Sequence, residues 1–319
     1  MSAPFESRAR ANSALPAPPP DERPSNDLRA YAFLTTTSLC WATNVALSRF
    51  AVGEISPFAL VSLRWIVVLS VLAVFAHRQI REDLPLLRKR WPYFAAMGAF
   101  GYSVFNGMLY TAAHHTSAVN IGILQGSLPV FVLIVAYLAF RTPTRSVQIA
   151  GVAVTIIGVL IVAANGSVER LLALSFGLGD VLMIVACSGF AVYTVALRWR
   201  PAVSSLGMFA ALAVAAFAAS VPMLATEFSL GNTQWPTQTG WLLVAVSALI
   251  PSITGQICFM QGVQLIGPKR AGVFINLVPV FAAALAVVFL GEAFEIYHAV
   301  ALALVLGGLW LSERGEDLE

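Results

Sequence analysis

The chain has 319 residues, enough for two soluble domains, yet 58% of them are hydrophobic and only 11% are charged, against about 25% charged in soluble domains. That composition excludes an ordinary globular protein and points to a chain that lives in lipid. The net charge of +3 is small and is spread over short connectors between apolar runs, which excludes a nucleic-acid partner.

Residues 1–29 are proline-rich, with scattered arginines and acids and no apolar core. They read as a disordered cytoplasmic tail that neither packs nor acts as a signal peptide. Ten apolar segments follow, each near the 17–25 residues a helix needs to cross hydrocarbon: 31–51, 57–76, 92–113, 117–140, 146–164, 177–198, 203–224, 239–261, 269–290 and 295–312. Residues 313–319 form a second short tail. Cys40, Cys187 and Cys258 lie inside these runs and read as small packing groups rather than disulfide partners.

The basic residues orient the segments. With the N-terminus inside, 16 of the 19 Lys and Arg fall on the inner side, in the tail and after the second, fourth, sixth, eighth and tenth segments. Only Arg49 and Arg170 fall outside. This positive-inside bias predicts ten crossings with both termini in the cytoplasm.

An internal repeat is also legible. Leu128-Pro129-Val130-Phe131 matches Val278-Pro279-Val280-Phe281 at an offset of 150, and the same offset pairs Asn106 with Gln256 and Gly158 with Gly308. The halves are residues 30–164 and 177–312, with an outer linker at 165–176. Five crossings per half is odd, so the second half enters from the opposite side. The expected fold is an all-α polytopic membrane protein of ten helices in two inverted five-helix repeats, an architecture that suits alternating access to a site between the halves.

Polar groups inside apolar helices are informative, because each needs a partner or a wet path. In the third segment Tyr102, Asn106 and Tyr110 recur every four residues and form one stripe. In the first, Trp41, Asn44 and Ser48 share a face, and Tyr193 is the repeat position of Asn44. Gln125 and Asn276 shortly precede Pro129 and Pro279, where a proline frees a carbonyl and allows a kink. Each set reads either as a binding wall or as packing: an interhelical clamp for the stripe, or kinks that only shape the bundle. Gly122-x-x-x-Gly126 reads as a close-packing motif. Arg64 is the one basic residue well inside a span, and centring an arginine costs about 2.5–3.5 kcal/mol. Its expected partner is a substrate carboxylate or, on the structural reading, helix-end carbonyls or Asp180.

These motifs resemble a known family. Trp41-Ala42-Thr43-Asn44, Arg64 after Pro57, the proline motifs at 129 and 279, Leu290-Gly291-Glu292, and the glycines at 158, 307 and 308 are similar to the drug/metabolite transporter superfamily, in its ten-helix EamA-type branch, over roughly residues 30–312. The resemblance implies an exporter of small metabolites in the bacterial inner membrane, with amino acids prominent among substrates, a central cavity, and aromatic amino acid exporters as one branch. The first half departs from the pattern at Phe140-Arg141-Thr142, so a role for the family carboxylate can fall only on Glu292.

Residues expected to line the path are Trp41, Asn44, Tyr102, Asn106, Tyr110, Gln125, Tyr193, Gln256 and Asn276, with Arg64 facing a carboxylate and Pro129 and Pro279 as hinges. No catalytic group, metal or cofactor is expected: H-E-x-x-H and G-x-S-x-G are absent, and adjacent His114 and His115 point about 100° apart on a helix. An intramembrane enzyme or a channel is the alternative class, the latter without a filter motif or charge ring. A nucleotide-sugar or drug carrier is the alternative within carriers. With one interior arginine, a zwitterionic or neutral amino acid fits better than a diphosphate. Acids fall at the segment ends, so facilitated transport or exchange is expected, and one chain holding both repeats suffices as a monomer.

Overall fold

The structure, a computed structural model, describes residues 23–141, 145–173 and 176–314. Ten helical rods form the bundle: α1 Arg23–Phe50, α2 Pro57–Phe75, α3 residues 91–112, α4 Ala118–Phe140, α5 Ser146–Ala163, α6 Leu178–Trp199, α7 Ser205–Ser229, α8 Gln238–Ile266, α9 residues 268–290 and α10 Ile296–Arg314. Seven of them, α2 and α4 to α9, are long and apolar enough to cross a bilayer, and Ile296–Ser312 of α10 is a shorter apolar helix. The other two, α1 and α3, carry Thr35-Thr36-Thr37-Ser38, Asn44, Tyr102, Asn106 and Tyr110; the polar groups of interest are concentrated where hydropathy is lowest.

Three stretches differ from the sequence expectation. The first helix starts at Arg23, so residues 23–29 of the expected tail are helical, while residues 1–22 and 315–319 lie outside the described residues. The expected connector after the second segment is largely a helix, His77–Lys89, with Leu87 buried and Asp83 accepting from the Ser204 hydroxyl at 2.6 Å. Its charged face and apolar stripe suit a helix lying along the membrane surface. A short helix, Val168–Leu172, also occupies the expected linker.

Packing follows the repeat. Helix α2 packs on α7, α4 on α9 and α5 on α10, each against its own repeat counterpart. Contacts of α1 with α8 and α9 are mirrored by contacts of α6 with α3 and α4. This is the pattern of a pseudo-two-fold axis through the bundle. Small residues set the approach: a Cβ on Gly308 would stand 2.6 Å from the Gly151 carbonyl, and one on Gly122 or Gly126 would stand 2.7 Å from the Ala282 methyl or 2.9 Å from the Pro279 ring. Gly122-x-x-x-Gly126 is thus the seam between α4 and α9.

Helix breaks repeat too. Helix α3 widens to a π turn over Ala99–Val104 and α8 over Ala248–Thr254, so that their ends, Val104 and Thr254, fall at the repeat offset. In α8, Pro251 removes a backbone donor; in α3 the equivalent Gly101 admits the Tyr193 ring, which would clash with any Cβ. Pro129 and Pro279 each sit in the first turn of a new helical segment, after a break at Ser127 in α4 and a 3-10 turn at Phe274–Leu277 in α9. Arg141, with φ 52°, takes the left-handed conformation that Gly291, with φ 65°, takes at the matching end of α9. The backbone keeps the repeat where the sequence has lost it.

Candidate functional site

Arg64 lies one-third of the way along α2 and is only 5% exposed. Its Nε donates to Ser252 Oγ at 2.6 Å; Nη1 donates to Asn44 Oδ1 at 3.1 Å, Asn106 Oδ1 at 2.9 Å and the Tyr110 hydroxyl at 2.6 Å. These acceptors bond one another. The Tyr110 hydroxyl donates to Asn44 Oδ1 at 2.8 Å, and Asn44 Nδ2 donates to Asn106 Oδ1 at 3.2 Å. Four residues singled out from the sequence therefore converge on one point in the protein interior.

The structural partners expected for Arg64 are corrected here. Neither helix-end carbonyls nor Asp180 hold it; all four acceptors are neutral side chains, and among the described residues no carboxylate pairs with it. Neutral acceptors stabilise a guanidinium by about 1.5–3 kcal/mol each, enough to bury it, but they leave a full positive charge in low dielectric. None of the described hydrogen bonds uses Nη2.

Both π turns serve this cluster. Widening the turn leaves backbone carbonyls without their usual partners, and side chains take them: Asn106 Nδ2 donates to the Tyr102 carbonyl at 2.7 Å, and Ser252 Oγ to the Ser247 carbonyl at 2.7 Å. Ser252 stands at the repeat position of Tyr102 and brings the second half to Arg64. It escaped the sequence reading because one serine in an apolar helix is ordinary; its place beside Pro251, 150 residues after Tyr102, was the available signal.

An aromatic wall adjoins the cluster. Trp65 stacks on Tyr102 with ring centroids 5.2 Å apart and planes 6° from parallel, and Tyr102 faces Tyr193 at 6.0 Å. Phe190 touches both Tyr193 and Phe105. The buried Trp65 Nε1 and Gln125 Oε1 make no hydrogen bond among the described residues. Other sequence candidates stand apart from the Arg64 network. Trp41 packs against Gly255 and Phe259 of α8. Gln256 is half-buried in α8 and Asn276 in the 3-10 turn of α9. Ser48 bonds back to its own helix at the Val45 carbonyl.

Near Pro129 the Ser127 N–H reaches both the Gln125 and Leu124 carbonyls, so the Gln125 carbonyl expected to be freed keeps a backbone donor. Leu124 O is taken by Ser127 Oγ at 2.6 Å, and Phe274 O by Ser38 Oγ at 2.6 Å. Ile275 O receives the Val278 N–H. The three cysteines are unpaired, two of them buried, and Cys187 Sγ points at Leu124 O from 3.7 Å.

A second polar cluster occupies the end of the bundle opposite the arginine-rich connectors. A cavity of about 640 Å³ is lined there by Arg49, Asn120, Asp180, Glu292 and His298, among others. Glu292 accepts from the Ala118 and Val119 N–H groups at 2.9 and 3.0 Å, at the start of α4, and pairs with Arg49 at 3.6 Å; a carboxylate there is favoured by the exposed N–H groups and the helix dipole. Arg49 also donates to the Ala113 carbonyl. Behind them Asn120 bridges Asp180 and His298. Neither the histidine nor Asn120 stood out in the sequence, the first because it sits near a segment end.

Comparison with known proteins places this geometry. Residues 28–164 and 177–313 each match the EamA-like transporter family. A Bacillus subtilis protein named as an uncharacterized transporter, YyaM, is 24% identical over 88% of this chain and 92% of its own length. The Escherichia coli K12 uncharacterized inner membrane transporter YedA is also 24% identical, over 91% of this chain and 92% of its own. A solved crystal structure shares the fold with a TM-score of 0.62 at 20% identity, covering 93% of this chain and 99% of that one.

Proposed function

This chain belongs to the EamA-like transporter family, and from that premise we propose that it exports small amino-acid-like metabolites across the bacterial inner membrane by alternating access. It is a multi-pass membrane transporter of small molecules rather than an enzyme. The finer reading is a monomer with both termini in the cytoplasm, binding no nucleic acid, that moves aromatic or other neutral amino acids by facilitated transport or exchange.

One observation carries the substrate class: Arg64 is buried, held by four neutral acceptors, and has no carboxylate partner among the described residues. A substrate carboxylate supplies that missing charge. The Trp65–Tyr102 stack and Tyr193 beside it offer flat surfaces for a ring, worth about 0.5–1.5 kcal/mol per good pair. A nucleotide sugar brings two phosphates and is less well matched by one guanidinium.

Mechanically, Arg64 of the first repeat meets Ser252 of the second, so rocking the halves changes the site. The breaks at Ser127–Pro129 and Phe274–Pro279 are the places where α4 and α9 can bend without breaking a continuous ladder. The reading is tested by counterflow in proteoliposomes containing only this protein, loaded in turn with unlabelled aromatic, small neutral and acidic amino acids and with a nucleotide sugar. Saturable exchange confined to an amino-acid class supports it. Exchange of the nucleotide sugar alone, or of nothing by folded protein, rejects it.

A further inference from the structure

Resting on that carrier reading and narrowing its two modes to exchange, we propose that the substrate leaves in exchange for a proton, held at the outer end of the bundle by Asp180 and His298 around the side chain of Asn120. The three residues are 2%, 3% and 2% exposed, yet they line the 640 Å³ cavity. Buried titratable groups with access to a cavity are where a membrane carrier can take up a proton.

Asp180, in the first turn of α6, accepts through Oδ1 from the Thr116 hydroxyl at 2.6 Å and from Asn120 Nδ2 at 3.4 Å. Among the described residues no cation pairs with it. The N-terminus of α6 favours a negative charge by about 2 kcal/mol at most, which does not replace a counter-ion for a buried carboxylate. Glu292 differs: Arg49 and two backbone N–H groups already balance it.

His298 is held as one tautomer. The Glu295 N–H donates to Nδ1 at 2.9 Å, so Nδ1 is bare, and Nε2 carries the hydrogen that Asn120 Oδ1 accepts at 3.0 Å. A proton arriving at Nδ1 displaces the Glu295 N–H from the start of α10. A proton arriving on Asp180 replaces a charged acceptor of the Thr116 and Asn120 bonds with a neutral carboxyl. The Asp180 event alters contacts between repeats directly, because Thr116 and Asn120 come from the first and Asp180 from the second, and His298 of the second repeat is tied to the same Asn120 through Nε2.

Among the described residues, further charged or titratable groups line the same cavity. Glu292 and Glu295 come from the connector before α10, Tyr297 from α10, Arg49 from α1, His115 from the turn after α3, and Arg170 from the short helix 168–172. The acids draw a proton in; Arg49 is committed to Glu292 and the Ala113 carbonyl. Helix α3 links the two sites, since Tyr110 holds Arg64 and Thr116, just beyond the helix, holds Asp180. Only an O–H or N–H bond is made from the outer water and released to the inner water in each cycle.

The test uses proteoliposomes of the full chain and an equimolar mixture of the twenty radiolabelled amino acids, with membrane potential clamped by potassium and valinomycin. Counterflow is measured without a gradient, then uptake into vesicles with an acid lumen. The expected result is gradient-driven accumulation above the external level, up to about tenfold per pH unit for one-for-one exchange, abolished when nigericin collapses the gradient. Asp180→Asn and His298→Gln should bring the ratio of gradient-driven uptake to counterflow down to about one. Wild-type counterflow without gradient-driven accumulation overturns the proton proposal alone, as does undiminished accumulation in Asp180→Asn. Absence of counterflow from folded wild-type protein overturns the carrier reading, and the proton proposal falls with it.

Discussion

Replacing Arg64 with methionine separates a structural clamp from a substrate contact. The change removes four hydrogen bonds, yet each acceptor keeps another partner: Asn44 Oδ1 retains the Tyr110 hydroxyl at 2.8 Å, Asn106 Oδ1 retains Asn44 Nδ2 at 3.2 Å, and Ser252 Oγ still donates to Ser247 O at 2.7 Å. Methionine fills most of the stem volume and removes a charge whose insertion costs about 2.5–3.5 kcal/mol. Exchanging a buried charge for apolar packing is often neutral or stabilising by about 1–4 kcal/mol, so Arg64→Met should stay within about 2 kcal/mol of wild type in thermal unfolding in detergent. Transport should behave otherwise. Losing one charge-assisted bond to a substrate carboxylate, about 1.5–3 kcal/mol, raises half-saturation in counterflow by about 10- to 150-fold. Loss of folded protein in step with loss of transport would refute the reasoning, and so would an unchanged half-saturation.

Gly308→Val should drive α5 and α10 apart, since its Cβ meets Gly151 O at 2.6 Å and Thr155 N at 2.8 Å. A loss of about 1–3 kcal/mol or more is expected, with Gly307→Val, whose Cβ meets nothing within 4 Å, nearly silent in the same unfolding assay. Glu292→Gln removes the charge facing Arg49 and the start of α4; because Arg49 is partly exposed the expected loss is only about 1 kcal/mol, shrinking in high salt. Arg141→Gly relieves a left-handed residue at φ 52° and should raise stability by up to about 1 kcal/mol. An unchanged or lower unfolding temperature would remove strain at Arg141 from the account.

The ten rods were legible because lipid demands long apolar runs, and the 150-residue offset carried the inverted repeat. Connectors were less so. His77–Lys89 reads as a charged loop with Pro85 inside it, although Ile80, Leu84 and Leu87 are spaced as a helix face. The π turns were illegible because a six- or seven-residue change of period is too short to register against a 3.6-residue background. The spacing of Tyr102, Asn106 and Tyr110 was legible, but what Asn106 and Tyr110 bind was not, since Arg64 is 42 and 46 residues away and Ser252 is 188 from Arg64.

The candidates chosen by symmetry show where a repeat misleads. Tyr102 corresponds to Ser252, Asn106 to Gln256, and Arg64 to Ala213–Val214, where Val214 is 56% exposed. The backbone is duplicated, down to the paired π turns, but the charge is not. A second arginine at the matching position would double the insertion cost and set two like charges facing each other in low dielectric. One half therefore supplies the guanidinium and most of its acceptors, and the other supplies a hydroxyl from the matching turn. Symmetry provides two conformations of similar energy that can exchange. The asymmetry leaves a single positive charge where the halves meet, so a carboxylate bound there would feel the same partner whichever side is open.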